Sequence, residues 1–296
     1  ENTTLRSLVN RVIAISVILF TYSTAQAQLG LPQVAWSKDS TLISYEVYGT
    51  GETSLVFIHG WSCDSRYWRK QIPAFSQNYT VVLIDLAGHG HSGISRQTYT
   101  MNAFGEDVQA VVEAIGCENV ILIGHSMGGT VIAEAAQKMP QRIRGLIGVD
   151  TYQNIAYQLS QNEYDMMISP FKQDFQKGTR QFVQQMLRQE TDAQLVEWIE
   201  ADMSSAPPSV AISAMEEYMK KSLKGETVQL FEKNHIPVIA VNADLWPTDV
   251  DANSKYMHSF EFFVIENTDH FLMLNRADEF NRTLDTAIES IVEKNK

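Results

Sequence analysis

The sequence predicts an α/β protein: a doubly wound, mostly parallel sheet covered by helices, with a helical cap inserted into it. Three observations carry that expectation. Short apolar runs rich in Val, Ile and Leu alternate with segments of helical periodicity between residues 54 and 150. These runs are continuous, as strands buried on both faces of a helix-covered parallel sheet should be. From residue 152 to residue 232 no such run occurs, and then two more follow.

Taken in order, "LISYEVYG" (residues 42–49) alternates like an edge or antiparallel strand. The runs "SLVFIHG" (54–60), "TVVLIDLAG" (80–88), "NVILIGHS" (119–126) and "IRGLIGVD" (143–150) read as buried parallel strands, with helices over 103–115 and 127–139. The interrupting stretch spaces its apolar residues helically, as in "FVQQMLRQ" and "LVEWIEADM", and is punctuated by Gly178 and the pair Pro207 and Pro208. "IPVIAVNA" and "FEFFVIEN" then resume the sheet, and a helix over 277–294 closes it. The expected division is a core of residues 28–151 and 233–296 and a cap of residues 152–232.

Residues 1–27 stand apart. Arg6 and Arg11 precede an apolar run over 12–20, and "AQA" follows at 25–27. A charged start, a short apolar stretch and a small-residue cleavage site form the pattern of a secretory signal. The run is short for a membrane span, although an uncleaved anchor is the rival reading. A mature start near Gln28 and an exported, periplasmic or extracellular protein are expected, with membrane contact only through this segment. No Cys follows the cleavage site, which argues against a lipid anchor.

The remaining composition is that of an ordinary globular chain of 296 residues, 44% hydrophobic and 20% charged. A net charge of -12 argues against a nucleic-acid partner, which wants a basic face. Two cysteines, Cys63 and Cys117, do not make a disulfide framework in a domain this large, and free, partly buried thiols are expected.

The chemistry centres on "GHSMG" at 124–128. It fits G-x-S-x-G with a buried strand before it and a helix after it, the context in which Ser126 would sit on a tight strand-to-helix turn. A serine hydroxyl needs a base to become a nucleophile. "ENTDHFLML" places His270 after the last strand, which makes it the candidate general base. His235 and His258 precede strands and are weaker candidates. His59 in "HGW" and His89 and His91 in "GHGHS" read as organisers of loops. The backbone N–H groups of Trp61 and Met127 are candidates for an oxyanion hole. No His, Cys or Asp cluster has convincing metal spacing, and no cofactor is expected.

The motifs "HGW", "DLAGHGHSG", "GHSMGG" and "TDHFLML", in this order, resemble those of the α/β-hydrolase fold family across residues 40–295. The resemblance implies a Ser–His–Asp triad in the chain order Ser, Asp, His. Many members carry the acid a few residues past the strand that begins here at Pro237, in the pattern strand, Gly, two residues, Asp. Counted that way, "PVIAVNADLWPTDV" has Ala243 at the Gly position and Trp246 at the acid position. Asp244 comes two positions early and Asp249 three positions late. Other members, certain haloalkane dehalogenases among them, take the acid from the end of the strand before the cap, which here is Asp150. Asp150 is the preferred candidate, with Asp244 and Asp249 as rivals.

The implied function is a serine hydrolase acting on a small carboxylic ester or lactone through an acyl-enzyme. Dehalogenases and epoxide hydrolases of the family use Asp where this chain has Ser126. Cofactor-free perhydrolysis or C–C bond hydrolysis are alternatives within the fold, and a small-molecule binder with slow turnover is the alternative outside catalysis. Six methionines of the insert, Met166, Met167, Met186, Met203, Met215 and Met219, suit an adaptable apolar pocket or, more plainly, helical packing.

Overall fold

A computed structural model describes residues 30–232 and 235–295. The expected signal segment lies outside the described residues. Among those residues no helix is long and apolar enough to cross a membrane.

Eight strands form one sheet in the order β1-β2-β4-β3-β5-β6-β7-β8. They are β1 (Gln33–Trp36), β2 (Leu42–Tyr48), β3 (Ser54–Ile58), β4 (Thr80–Ile84), β5 (Val120–His125), β6 (Ile143–Val149), β7 (Val238–Ala243) and β8 (Phe260–Ile265). The first two pairings, β1 with β2 and β2 with β4, are antiparallel, and the other five are parallel. The continuous apolar runs are the cause. Every residue of β3, β5 and β7 is buried, which only a sheet covered on both faces permits. Helices Met101–Ile115 and Met127–Lys138 pack on each other, and Ala277–Lys294 lies over β6, β7 and β8.

The register places the chemistry. Ile58 pairs with Gly124, His125 with Val149, and Val149 with Val241. The carboxyl ends of β3, β5, β6 and β7 therefore finish level with one another. The loops that leave them share one edge, where open α/β sheets collect their ligands and reacting groups.

Between β6 and β7 the chain makes a helical excursion: Gln161–Gln173, Phe175–Gln185, Ala193–Ser204, Pro208–Leu223 and Gln229–Glu232. Three starts are capped by side chains. Ser160 and Glu163 make a reciprocal capping box, Asp174 accepts from the N–H of Lys177, and Asp192 accepts from Gln194 and Leu195. Trp61, on the loop after β3, inserts its indole among Phe171, Phe175 and Phe182 at ring separations of 4.9, 6.2 and 5.7 Å. Its Nε1–H donates to the Ala211 carbonyl at 2.7 Å. One core side chain thus carries an apolar body into the helical layer and satisfies its polar tip there.

Cys63 and Cys117 are both free, and both are buried, deeper than their sequence context suggests. Burial pushes the Cys63 thiol well above its ordinary range.

Candidate active site

Ser126 joins β5 to the helix Met127–Lys138 with φ 53° and ψ -119°, a conformation few non-glycine residues adopt. Its N–H donates to the Val149 carbonyl at 3.0 Å, and its own carbonyl accepts from Gly129 at 2.9 Å. The turn closes because position 124 lacks a side chain: a Cβ there would lie 2.3 Å from the Gly128 carbonyl oxygen. The loop after β3 comes equally near. A Cβ on Gly60 would stand 3.3 Å from the Cβ of Ser126. That proximity brings the Trp61 backbone beside the serine, while the N–H of Met127 opens the helix that follows it.

Asp150 follows β6 directly and also holds a positive φ, 43°. Its N–H donates to Val241 at 3.0 Å, and its Oδ1 accepts from the N–H of Ala243 at 2.9 Å. The carboxylate is fixed across the ends of two neighbouring strands. Its Oδ2 lies 2.5 Å from Nδ1 of His270. With a carboxylate as partner, Nδ1 carries the hydrogen and Nε2 is left free to accept a proton. Asp150 and His270 are 2% and 5% exposed, so their contact is shielded from water.

The rival acids are engaged elsewhere. Asp244 pairs with Arg188 at 2.7 Å and accepts from the N–H of Thr268 at 3.3 Å. Partial desolvation raises its carboxyl, but the N–H groups of Asn267 and Thr268 and the Arg188 charge outweigh that and lower it. Asp249 caps the helix Val250–Tyr256 through the N–H of Ala252 at 2.9 Å. Trp246, which stands where the count expects an acid, sets its ring edge-on to His270 at 5.6 Å.

The other histidines divide as their loops suggest. His59 bridges the Gly60 carbonyl at 2.8 Å and the Leu86 N–H at 3.0 Å, and burial lowers its ring. His89 bonds the Ala87 carbonyl at 3.0 Å, and burial drives it down to about 3. His91, itself exposed, meets the buried Asp85 at 3.2 Å. His235 and His258 face each other at 4.8 Å before β7 and β8. His125, inside the motif, was not singled out by its sequence. Its Nε2 donates to the carbonyl of His270 at 2.9 Å, and burial holds its ring well below the usual imidazole range.

Ser126 and His270 line one narrow cleft, of about 10 Å³, walled by Trp61, Phe182, Met186, Met203 and Phe271. Two of the six methionines thus reach the site. Met215 and Met219 pack internally, and Met166 and Met167 are exposed. A larger cleft, of about 320 Å³ and lined by Tyr152, Tyr218 and Met219, contains neither Ser126 nor His270. Chemistry, not size, identifies the smaller one. Among the described residues no group of three or more His, Cys, Asp or Glu side chains converges as a metal site would need.

Comparison with known proteins bears on the fold. The family model described as the alpha/beta hydrolase fold matches residues 53–275. A dihydrolipoyllysine-residue acetyltransferase component of the acetoin cleaving system from Pseudomonas putida is 36% identical over 121 residues, which is 41% of this chain and 33% of that protein. A pimeloyl-[acyl-carrier protein] methyl ester esterase from Edwardsiella ictaluri is 38% identical over 101 residues, 34% of this chain and 37% of that protein. The chain spans about a third of the length of these curated relatives. Among solved structures, an esterase from Exiguobacterium antarcticum superposes with a TM-score of 0.78 at 19% identity, covering 88% of this chain and 100% of that one.

Proposed function

The chain belongs to the alpha/beta hydrolase fold family, and on that premise we propose that it is a serine hydrolase of small carboxylic esters or lactones. The observation that carries the reading is the 2.5 Å contact of His270 with buried Asp150, set in the cleft that holds Ser126 on its strained turn. Nucleophile, base and orienting acid would then have their three roles filled from three separate loops.

In this mechanism Ser126 Oγ attacks the substrate carbonyl carbon and its proton passes to Nε2 of His270. Asp150 holds the imidazole tautomer and stabilises the imidazolium. The N–H groups of Trp61 and Met127 hold the oxyanion. As the C–O bond to the leaving group breaks, the imidazolium protonates the departing alkoxide and acyl-Ser126 remains. Water then attacks the acyl carbon and gives its proton to His270, which returns it to Ser126 Oγ as the acyl C–O bond breaks and the acid leaves. A cleft walled this closely by Trp61, Phe182, Met186, Met203 and Phe271 favours short acyl groups.

A fluorophosphonate probe followed by p-nitrophenyl esters of increasing acyl length tests the proposal. Wild type should label and turn over, whereas Ser126→Ala should do neither. Absence of labelling at Ser126 sinks the serine-hydrolase reading. A stoichiometric burst with no sustained turnover would favour a binder. We further propose that residues 1–27 direct export. Mass measurement of the mature protein should find a start near Gln28.

A further inference from the structure

His270 is held from two sides. The core holds it through Asp150 and through the bond from His125 to its carbonyl at 2.9 Å. The helical excursion holds it through the short segment that joins Phe175–Gln185 to Ala193–Ser204. From that segment the Met186 carbonyl accepts the N–H of His270 itself at 3.1 Å. Two residues on, Arg188 donates from Nε to the Thr268 carbonyl at 2.6 Å and from its terminal nitrogen to Asp244 at 2.7 Å. Asp244 in turn accepts from the N–H of Thr268 at 3.3 Å. Three further on, Thr191 donates to the buried Asp269 at 2.5 Å, whose other oxygen accepts from the N–H of Phe271 at 2.9 Å. Every residue from Thr268 to His270 is thus tied to residues 186–191.

We infer that this segment, with Arg188 at its centre, is a positioning device for His270: the base is aligned only while the helical cap is seated. The inference rests on the reading of Ser126 and His270 as nucleophile and base. Its logic is mechanical. Met186 and Phe182 wall the cleft, so a displacement that admits substrate also pulls on the bonds to Thr268, Asp269 and His270. Closure restores them together and completes the site. Arg188 does not line the cleft, so its effect must pass through the His270 loop. Asp244, the rival acid, acquires a different role as the fixed partner that orients Arg188.

The test compares Arg188→Ala, Arg188→Lys and Thr191→Val with wild type. Small misplacements of a catalytic group carry losses of up to about 100-fold. For Arg188→Ala, kcat on p-nitrophenyl acetate should fall about 10- to 100-fold with KM changed less than about threefold. The low-field proton resonance of His270 Nδ1–H, assigned by its loss in His270→Gln, should broaden. Arg188→Lys, able to make one of the two bonds, should recover part of both. If Arg188→Ala does not fold, Thr191→Val decides, with a smaller fall in kcat and the same broadening. Unchanged kcat and an unchanged resonance in the folded variants overturn the inference. So does a rise in KM alone, which would make Arg188 a substrate contact. The resonance is read without substrate, so a wild type inert toward esters and probe would remove the hydrolase reading and leave the positioning measured.

Discussion

Replacing Asp150 by Asn removes a charge and little else. The Asn side chain keeps the volume and an oxygen for the N–H of Ala243, 2.9 Å away, so the strand ends should stay joined. What changes is the partner of His270 Nδ1. An amide nitrogen facing that atom would donate to it, forcing the hydrogen onto Nε2, and Nε2 could then take no proton from Ser126. The imidazolium formed during reaction also loses its counter-charge in a site shielded from water. For a coupled triad the expected loss is on the order of 10⁴ in kcat, equivalent to about 5 kcal/mol of barrier. Asp244→Asn should behave differently. Its pair with Arg188 is 31% exposed on the aspartate side and 29% on the arginine side, which puts the interaction at about 1 kcal/mol or less. The bond from Arg188 to Thr268 survives, so a fall of less than about tenfold follows. The assay is kcat/KM on p-nitrophenyl acetate, with circular dichroism to confirm that both variants fold. Near-normal turnover in Asp150→Asn together with turnover abolished in Asp244→Asn would refute the assignment and the geometry argued for it.

Two further expectations concern stability. Gly124→Ala should lower the melting temperature sharply or abolish folding, because its Cβ would meet the Gly128 carbonyl oxygen at 2.3 Å with only backbone able to yield; a melting point within a degree or two of wild type would contradict that packing. Acid should destabilise the protein through its buried neutral histidines. Burial lowers His59, His89 and His125 in the folded state, His89 to about 3, so below the ordinary histidine range near 6.5 the unfolded chain binds more protons and stability falls with pH. His89 alone should contribute a loss of about 1 kcal/mol between pH 7.5 and pH 5.5. The urea midpoint measured across that interval in wild type and in His89→Gln should show a steeper decline in wild type.

Local pattern made much of this protein legible, and distance along the chain hid the rest. Strands β3 to β7 announce themselves because burial on both faces leaves little room for polar residues. Strand β1 does not. It has four residues, Val34 and Trp36 are 54% and 66% exposed, and only Ala35 is buried, which is too little alternation to read. The helix Val250–Tyr256, seven residues long and mostly polar, is as hard to read. At the site, G-x-S-x-G carries its own context, and His270 follows from its place after the last strand. The choice among Asp150, Asp244 and Asp249 needed a count along β7, and the structure separates the three by their partners. His125 and Arg188 gave no signal. One is masked by the motif around it, and the other meets Asp244 and Thr268 across 56 and 80 residues of sequence.

The pairing of β6 with β7 has a consequence for how such a protein could change over time. Leu146 to Val149 pair directly with Val238 to Val241, yet the whole helical excursion is spent between these neighbouring strands. A lineage could therefore exchange that excursion for another and leave every strand partner, Ser126, Asp150 and His270 where they are. Substrate choice could diverge while the reaction is inherited unchanged. The bonds from residues 186–191 limit the exchange, since a replacement would have to bring its own grip on the loop at Thr268.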